Sequence, residues 1–168
     1  MIVSRIAATM LAAVVWSGIG VASAQQSRPA MLAVTEAHRM AQAGEVVLVD
    51  IRTAEEWKET GVPTSAHAIS MHQDPRAFLK SLDAALSGDR SRPLALICRT
   101  GNRSSNLQAE LRRAGFSNVI DVSEGMAGSR AGQGWLKAGL PVRKGASVTA
   151  APQVSVPAAA PVSKPAAK

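Results

Sequence analysis

The stretch Leu94-Ala95-Leu96-Ile97-Cys98-Arg99-Thr100-Gly101-Asn102-Arg103-Ser104-Ser105 constrains this chain most, because it leads an apolar run into the only cysteine and then into a polar segment. Leu94 to Cys98 has the length and continuity of a strand buried on both faces. The residues after it predict a tight turn and a helix running through Gln108 to Ala114, with Leu107 and Leu111 inward, Arg112-Arg113 outward and Gly115 as its stop. A thiol between a strand end and a helix start sits where backbone N–H groups are unpaired and the helix dipole is positive, so its thiolate is stabilised. Arg99 and Arg103 add positive charge beside it. Gly101 permits the left-handed backbone that turns successive amides inward as an anion cradle.

The same alternation runs through the rest of the chain. Thr35 is placed to cap a helix through Ala43, with Ala37, Met40 and Ala41 at helical spacing and Gly44 as the stop. Val46 to Val49 is a second doubly buried strand, followed by Asp50 and Arg52, which read as a structural pair at the strand end. A helix over Ala54 to Thr60 closes at Gly61, and Pro63 predicts a turn. A short strand is expected from Ala66 to Ser70. Asp74-Pro75 opens a helix whose apolar face is Phe78, Leu79, Leu82 and Leu86, and Gly88 to Pro93 reads as a loop. Asn118 to Val122 is the last strand, and Glu124 to Gly134 is glycine-rich and irregular. Strands alternating with helices predict an α/β fold: a mainly parallel sheet with helices on both faces and right-handed crossovers. The nucleophile then lies at the carboxyl edge of the sheet, where such folds bind ligands.

The chain has 168 residues, of which about 115 are expected to form one core. Residues 1–24 have the three parts of a secretory signal: Arg5, an apolar run from Ile6 to Val21, and Ala22-Ser23-Ala24 before Gln25. They predict cleavage after Ala24, export to the periplasm and no stable membrane insertion after cleavage. In an oxidising compartment a lone thiol with no disulfide partner reads as reactive rather than structural. Residues 145–168 are rich in Ala, Pro, Val and Ser, without acidic or aromatic residues; they predict a disordered tail, because too little apolar surface is available to offset ordering entropy. The net charge of +7 and a pI near 10.5 raise the question of nucleic acid. The basic residues are scattered, however, and the chain has no Tyr and two Phe, so neither a basic stripe nor a stacking surface is present and nucleic-acid binding is not expected. Three separated His and one Cys give no metal-ligand spacing, so neither a metal nor a cofactor is proposed.

Cys98-Arg99-Thr100-Gly101-Asn102-Arg103-Ser104 resembles the active-site loop of the rhodanese-like sulfurtransferases. Val46-Val47-Leu48-Val49-Asp50-Ile51-Arg52-Thr53-Ala54-Glu55-Glu56-Trp57 is similar to that family's strand, Asp-x-Arg and Glu-Trp helix start. Glu124-Gly125-Met126-Ala127-Gly128 and Gly134-Trp135-Leu136-Lys137-Ala138-Gly139-Leu140-Pro141-Val142 resemble its closing segment. Gly61-Val62-Pro63-Thr64-Ser65-Ala66 departs from the family's usual His-containing stretch; His67 lies nearby but out of register, and His38 reads as helix surface. The resemblance covers residues 29–144 and implies a rhodanese-like three-layer fold. It further implies sulfur transfer from a small anionic donor such as thiosulfate to a thiophilic acceptor, an exported thiol or dithiol protein among the candidates.

On that reading Cys98 carries the sulfur as a persulfide and the amides from Arg99 to Arg103 cradle it. Arg99 and Thr100, at the rim, contact the donor. Gly101 shapes the turn and Asn102 belongs to rim or turn. Arg103 either ties the loop through its own hydrogen bonds or faces substrate, the former being favoured. Two alternatives compete. A cysteine phosphatase or arsenate reductase would need a loop one residue longer than the four residues separating Cys98 from Arg103. A noncatalytic binding or persulfide-carrier module would keep the loop without efficient turnover.

Overall fold

The computed structural model describes residues 30–145; the expected signal segment 1–24 and the expected tail beyond Gly145 lie outside them. In chain order the elements are β1 (Met31–Leu32), α1 (Val34–Gln42), β2 (Val47–Asp50), α2 (Ala54–Thr60), β3 (Val62–Pro63), β4 (Ala66–Ala68), α3 (Pro75–Ala85), β5 (Leu94–Ile97), α4 (Asn102–Arg113), β6 (Val119–Val122), α5 (Gly134–Lys137) and β7 (Val142–Arg143). Five strands form one parallel sheet in the order β1-β6-β5-β2-β4, and β3 pairs antiparallel with β7 beside it.

The apolar runs form the middle of this sheet because side chains alternate between two covered faces. Leu48, Ala95, Ile97, Ile120 and Val122 pack on one face with Val34, Ala37 and Ala41 of α1, Trp57 of α2 and Trp135 of α5. Val47, Val49, Leu94, Leu96, Cys98 and Val119 pack on the other with Phe78 and Leu82 of α3 and Leu107 and Leu111 of α4. The result is the expected helix–sheet–helix sandwich. β5 is its central strand, between β6 and β2, and in the β2–β5 pair Asp50 lies opposite Ile97. Their carboxyl ends, carrying Asp50-Ile51-Arg52 and Cys98, therefore emerge side by side.

Asp74 caps α3 as its sequence suggests, its Oδ1 accepting from the amides of Arg76 and Ala77, both at 3.0 Å. Thr53 and Glu56 complete a capping box at the start of α2. One expectation is corrected. Thr35 does not cap α1: the helix begins at Val34, and the Val34 amide donates to Glu124 Oε1 at 3.2 Å. Burial of Val34 in the core sets where the helix starts, and a carboxylate from the other end of the chain satisfies it. Pro63 itself sits in an edge strand, paired with Val142, and the turn comes just after it, at Thr64 and Ser65. Pro is tolerated there because the outer edge needs no N–H, and Arg143 donates to the carbonyls of Pro63, Thr64 and Ala66. Strand ends also shift by a residue or two, to Asp50, Ala68 and Ile97. Beyond Ala68 the chain still follows β2, the amides of Ile69 and Met71 donating to the carbonyls of Asp50 and Ile51.

Candidate active site

Cys98 ends β5 and is 1% exposed. Its Sγ accepts from the Gly101 amide at 3.2 Å and from the Ser104 hydroxyl at 3.4 Å, and the same hydroxyl reaches the Gly101 carbonyl at 3.0 Å. The chain thus doubles back over the sulfur within three residues. Gly101 makes this possible: its φ is +89°, and a Cβ there would collide with the Ser123 carbonyl. It immediately precedes α4, whose first amides have no carbonyl of their own helix to donate to.

The loop rests on Ser123–Ala127, the segment after β6. The amides of Met126 and Ala127 donate to the carbonyls of Cys98 and Arg99, both at 2.9 Å. Gly125, at φ +66°, has no room for a side chain: a Cβ would lie 2.6 Å from the Arg99 carbonyl oxygen. Glu124 locks this support, accepting from the amides of Val34 and Gly134. A side of the loop is therefore spent on rigid backbone contacts.

Arg103 is committed to a neighbouring helix. Its Nη1 and Nη2 donate to Glu56 Oε2 and Oε1 at 2.8 and 2.6 Å, a bidentate fork. The pair ties α4 to α2, and the Arg103 guanidinium, overcoming the upward push of burial and helped by the Thr53 amide, holds the Glu56 carboxyl down at about 2. Glu56 in turn raises Arg103, with the Cys98 sulfur a smaller contributor. The His72 Nε2 lies 3.3 Å from Arg103 Nη1. Below them, Arg52 and Asp50 form an ion pair buried to 2% and 0% exposure; Arg52 also donates to the Thr60 hydroxyl and the Gly61 carbonyl, closing the end of α2. This is a structural pair, with no free valence for substrate.

Arg99, Thr100 and Asn102 are exposed at the mouth of the loop. Beside Arg99 is a cavity of about 100 Å³, bounded by Arg52, Glu56 and Glu59 on one side and by Met126 and Leu136 on the other. That volume is well below the size of ordinary drug-sized ligand sites, and Cys98 is not among the residues that line it. The structure therefore gathers Cys98, Gly101 and Arg103 with Ser104 at the floor and places Arg99, Thr100 and Asn102 at the rim. Glu56 and His72 join the site from other elements. Glu56 carries a local signal as the third helical residue of a capping box, but nothing local announces its arginine, and no pattern marks His72. His38 is half-buried rather than free helix surface: it packs edge-on against Trp135, ring centroids 5.4 Å apart.

The arrangement has recognisable relatives. A family model described as Rhodanese-like domain matches residues 33–131. Thiosulfate sulfurtransferase 16, chloroplastic, of Arabidopsis thaliana is 31% identical over 128 residues, spanning 71% of this chain and 98% of that protein. Thiosulfate sulfurtransferase GlpE of Pseudomonas savastanoi pv. phaseolicola is 33% identical over 79 residues, 47% of this chain and 67% of that one. Among solved structures, the polysulfide-sulfur transferase homodimer of Wolinella succinogenes superposes with a TM-score of 0.53 at 24% identity, covering 69% of this chain and 79% of that one, a likeness of fold.

Proposed function

This chain belongs to the rhodanese-like domain family, a family of sulfurtransferase type, and we propose that it moves sulfane sulfur from thiosulfate, or a similar small anion, through a Cys98 persulfide. What supports this most is Cys98 Sγ lying at the floor of a loop whose Gly101 amide already points at it from 3.2 Å. In the first step the Cys98 thiolate attacks the outer sulfur of thiosulfate. A sulfur–sulfur bond forms to Cys98, the bond to the sulfonate breaks, and sulfite leaves with the electron pair. In the second step a nucleophile attacks the outer persulfide sulfur and Cys98 leaves as thiolate. Cyanide yields thiocyanate; a thiolate on an exported acceptor protein yields that protein's persulfide.

Every species on this path is anionic, so the fixed amides of the cradle stabilise charge without reorganising. Arg99 is the cation left for the donor, since the Arg103 fork is occupied by Glu56. The short loop supports a single sulfur atom as cargo and disfavours a tetrahedral phosphate. The N-terminal signal features support export as the setting for this chemistry; N-terminal sequencing of periplasmic material should begin at Gln25, and retention of Met1 in a membrane fraction would contradict export. The activity itself is tested by thiocyanate formation from thiosulfate and cyanide: wild-type protein turns over, and Cys98→Ser does not.

A further inference from the structure

The glycine-rich excursion that follows Ala127 is a built feature that the steps above leave unused. Residues Gly128 to Gly134 leave the support of the Cys98 loop and return to it, the two ends packed so closely that a Cβ on Gly134 would collide with the Gly128 backbone. Glu124 lies beneath: its carboxylate accepts from the Gly134 amide at 3.1 Å, and a Cβ on Gly132 would run into it. At the tip Ser129 and Gly132 exchange backbone hydrogen bonds at 2.9 and 3.3 Å, closing a tight antiparallel bridge. The Ser129 hydroxyl accepts from the Ala131 amide at 3.0 Å and donates to the Ser123 carbonyl at 2.9 Å. That carbonyl is the one against which Gly101 of the Cys98 loop is packed. Between the bridged residues sits Arg130. It is exposed and, among the described residues, has neither an ion pair nor a side-chain hydrogen bond.

We propose that this turn is a docking element at the rim of the site, holding Arg130 as a fixed cation for an acceptor protein whose thiol is flanked by carboxylates. The inference rests on reading Cys98 as the sulfur carrier, and it names the chemistry of the partner that empties it. In that step the acceptor thiolate attacks the outer persulfide sulfur, the bond to Cys98 breaks, and Cys98 leaves as thiolate. Cys98 is 1% exposed, so a protein thiol meets its persulfide only when the acceptor's surface is laid over the mouth. The charges at the mouth then decide which surface fits. Arg103 is neutralised by Glu56. Arg99 and Arg130 are not: both are exposed, and both are held by the same Ser123–Ala127 support, Arg99 through its carbonyl, which accepts from the Ala127 amide, and Arg130 through Ser129. Glu59 borders the cavity beside Arg99 without pairing with it, and the Glu124 carboxylate is buried against backbone amides. Guanidinium groups take carboxylates through two parallel hydrogen bonds. A turn closed at its neck and pinned at its tip also has little backbone freedom left to lose on binding.

The test charges the full-length protein with thiosulfate, removes the excess donor, and follows sulfur transfer to synthetic single-cysteine peptides that differ only in carrying Asp, Asn or Lys on both sides of the thiol. Each rate is divided by the peptide's own thiolate fraction, because the flanking charge shifts that fraction as well. The readout is the ratio of the Asp to the Lys peptide on the same charged protein, so a change in overall rate cancels. Wild type should favour the Asp peptide about tenfold, the scale of one charge-assisted contact. In Arg130→Ala the ratio should fall to about twofold, the scale left to screened and more distant charges. Arg130→Glu should invert it, and Arg130→Lys, a point charge without the fork, should lie between Ala and wild type. In about 1 M salt, where the screening length is about 3 Å, the wild-type ratio should approach that of Arg130→Ala. A wild-type ratio near one, or a ratio in Arg130→Ala equal to wild type, overturns the proposal. A wild-type protein that gains no sulfur at the charging step overturns the carrier reading and the proposal with it, and the two failures are told apart because charging is measured before any peptide is added.

Discussion

Replacing Glu56 by Gln removes one charge from the Arg103 fork while leaving an oxygen that can still accept from the Thr53 amide and keep the capping box. The carboxyl sits at about 2 in the folded protein against an ordinary 4.5, a depression that corresponds to an upper limit of about 3 kcal/mol at neutral pH. The pair retains 28% and 21% exposure, so residual solvent reduces this to about 2 kcal/mol. For a domain of this size that is a fall in melting temperature of about 10 °C. The pH dependence carries the sign. Because folding lowers this carboxyl, its contribution is fully present above about pH 4.5 and disappears as pH falls through about 2. Urea denaturation of wild type and Glu56→Gln from neutral pH down to about pH 2 should give a gap that closes along that range. Equal stability at neutral pH, or a gap of constant size down to the acid end, would refute the assignment of that energy to the Glu56–Arg103 pair.

Other changes should separate structural from chemical roles. Arg52→Ala strands a buried Asp50 carboxylate and should cost about 3 to 5 kcal/mol, measured by denaturant unfolding; Arg52→Lys, which keeps the charge but not the fork, should lose less. Gly101→Ala combines a left-handed backbone with a collision against Ser123 and should lose sulfur uptake together with at least about 2 kcal/mol of stability. Arg99→Ala, at an exposed rim position, should leave the melting temperature unchanged while raising KM for thiosulfate about tenfold, the scale of one charge-assisted contact.

The features legible in the sequence are those whose signal is local. Leu94 to Cys98 is apolar without interruption, Gly101 and the polar residues after it mark a turn and a helix, and Asp74-Pro75 announces a helix start. Each can be read within one turn of chain, and together they are enough for the sheet, its two helical layers and the nucleophile's place. What escaped the sequence depends on the strand order β1-β6-β5-β2-β4, which sets distant segments beside the loop. Glu56 meets Arg103 across 47 positions and Glu124 caps α1 across 90. The misread Thr35 has the same origin: it was assigned by local preference, and a tertiary partner, Glu124, decided otherwise.

The direct measurement of the central claim is the intact mass of the purified protein. Incubation with thiosulfate should add about one sulfur atom per chain, at the thiolate nucleophile, and cyanide should remove it with release of thiocyanate. Cys98→Ser should show no gain under the same conditions. A wild-type mass that stays unchanged with thiosulfate, in a protein that instead hydrolyses phosphate esters, would contradict sulfur transfer through Cys98 and favour a phosphatase.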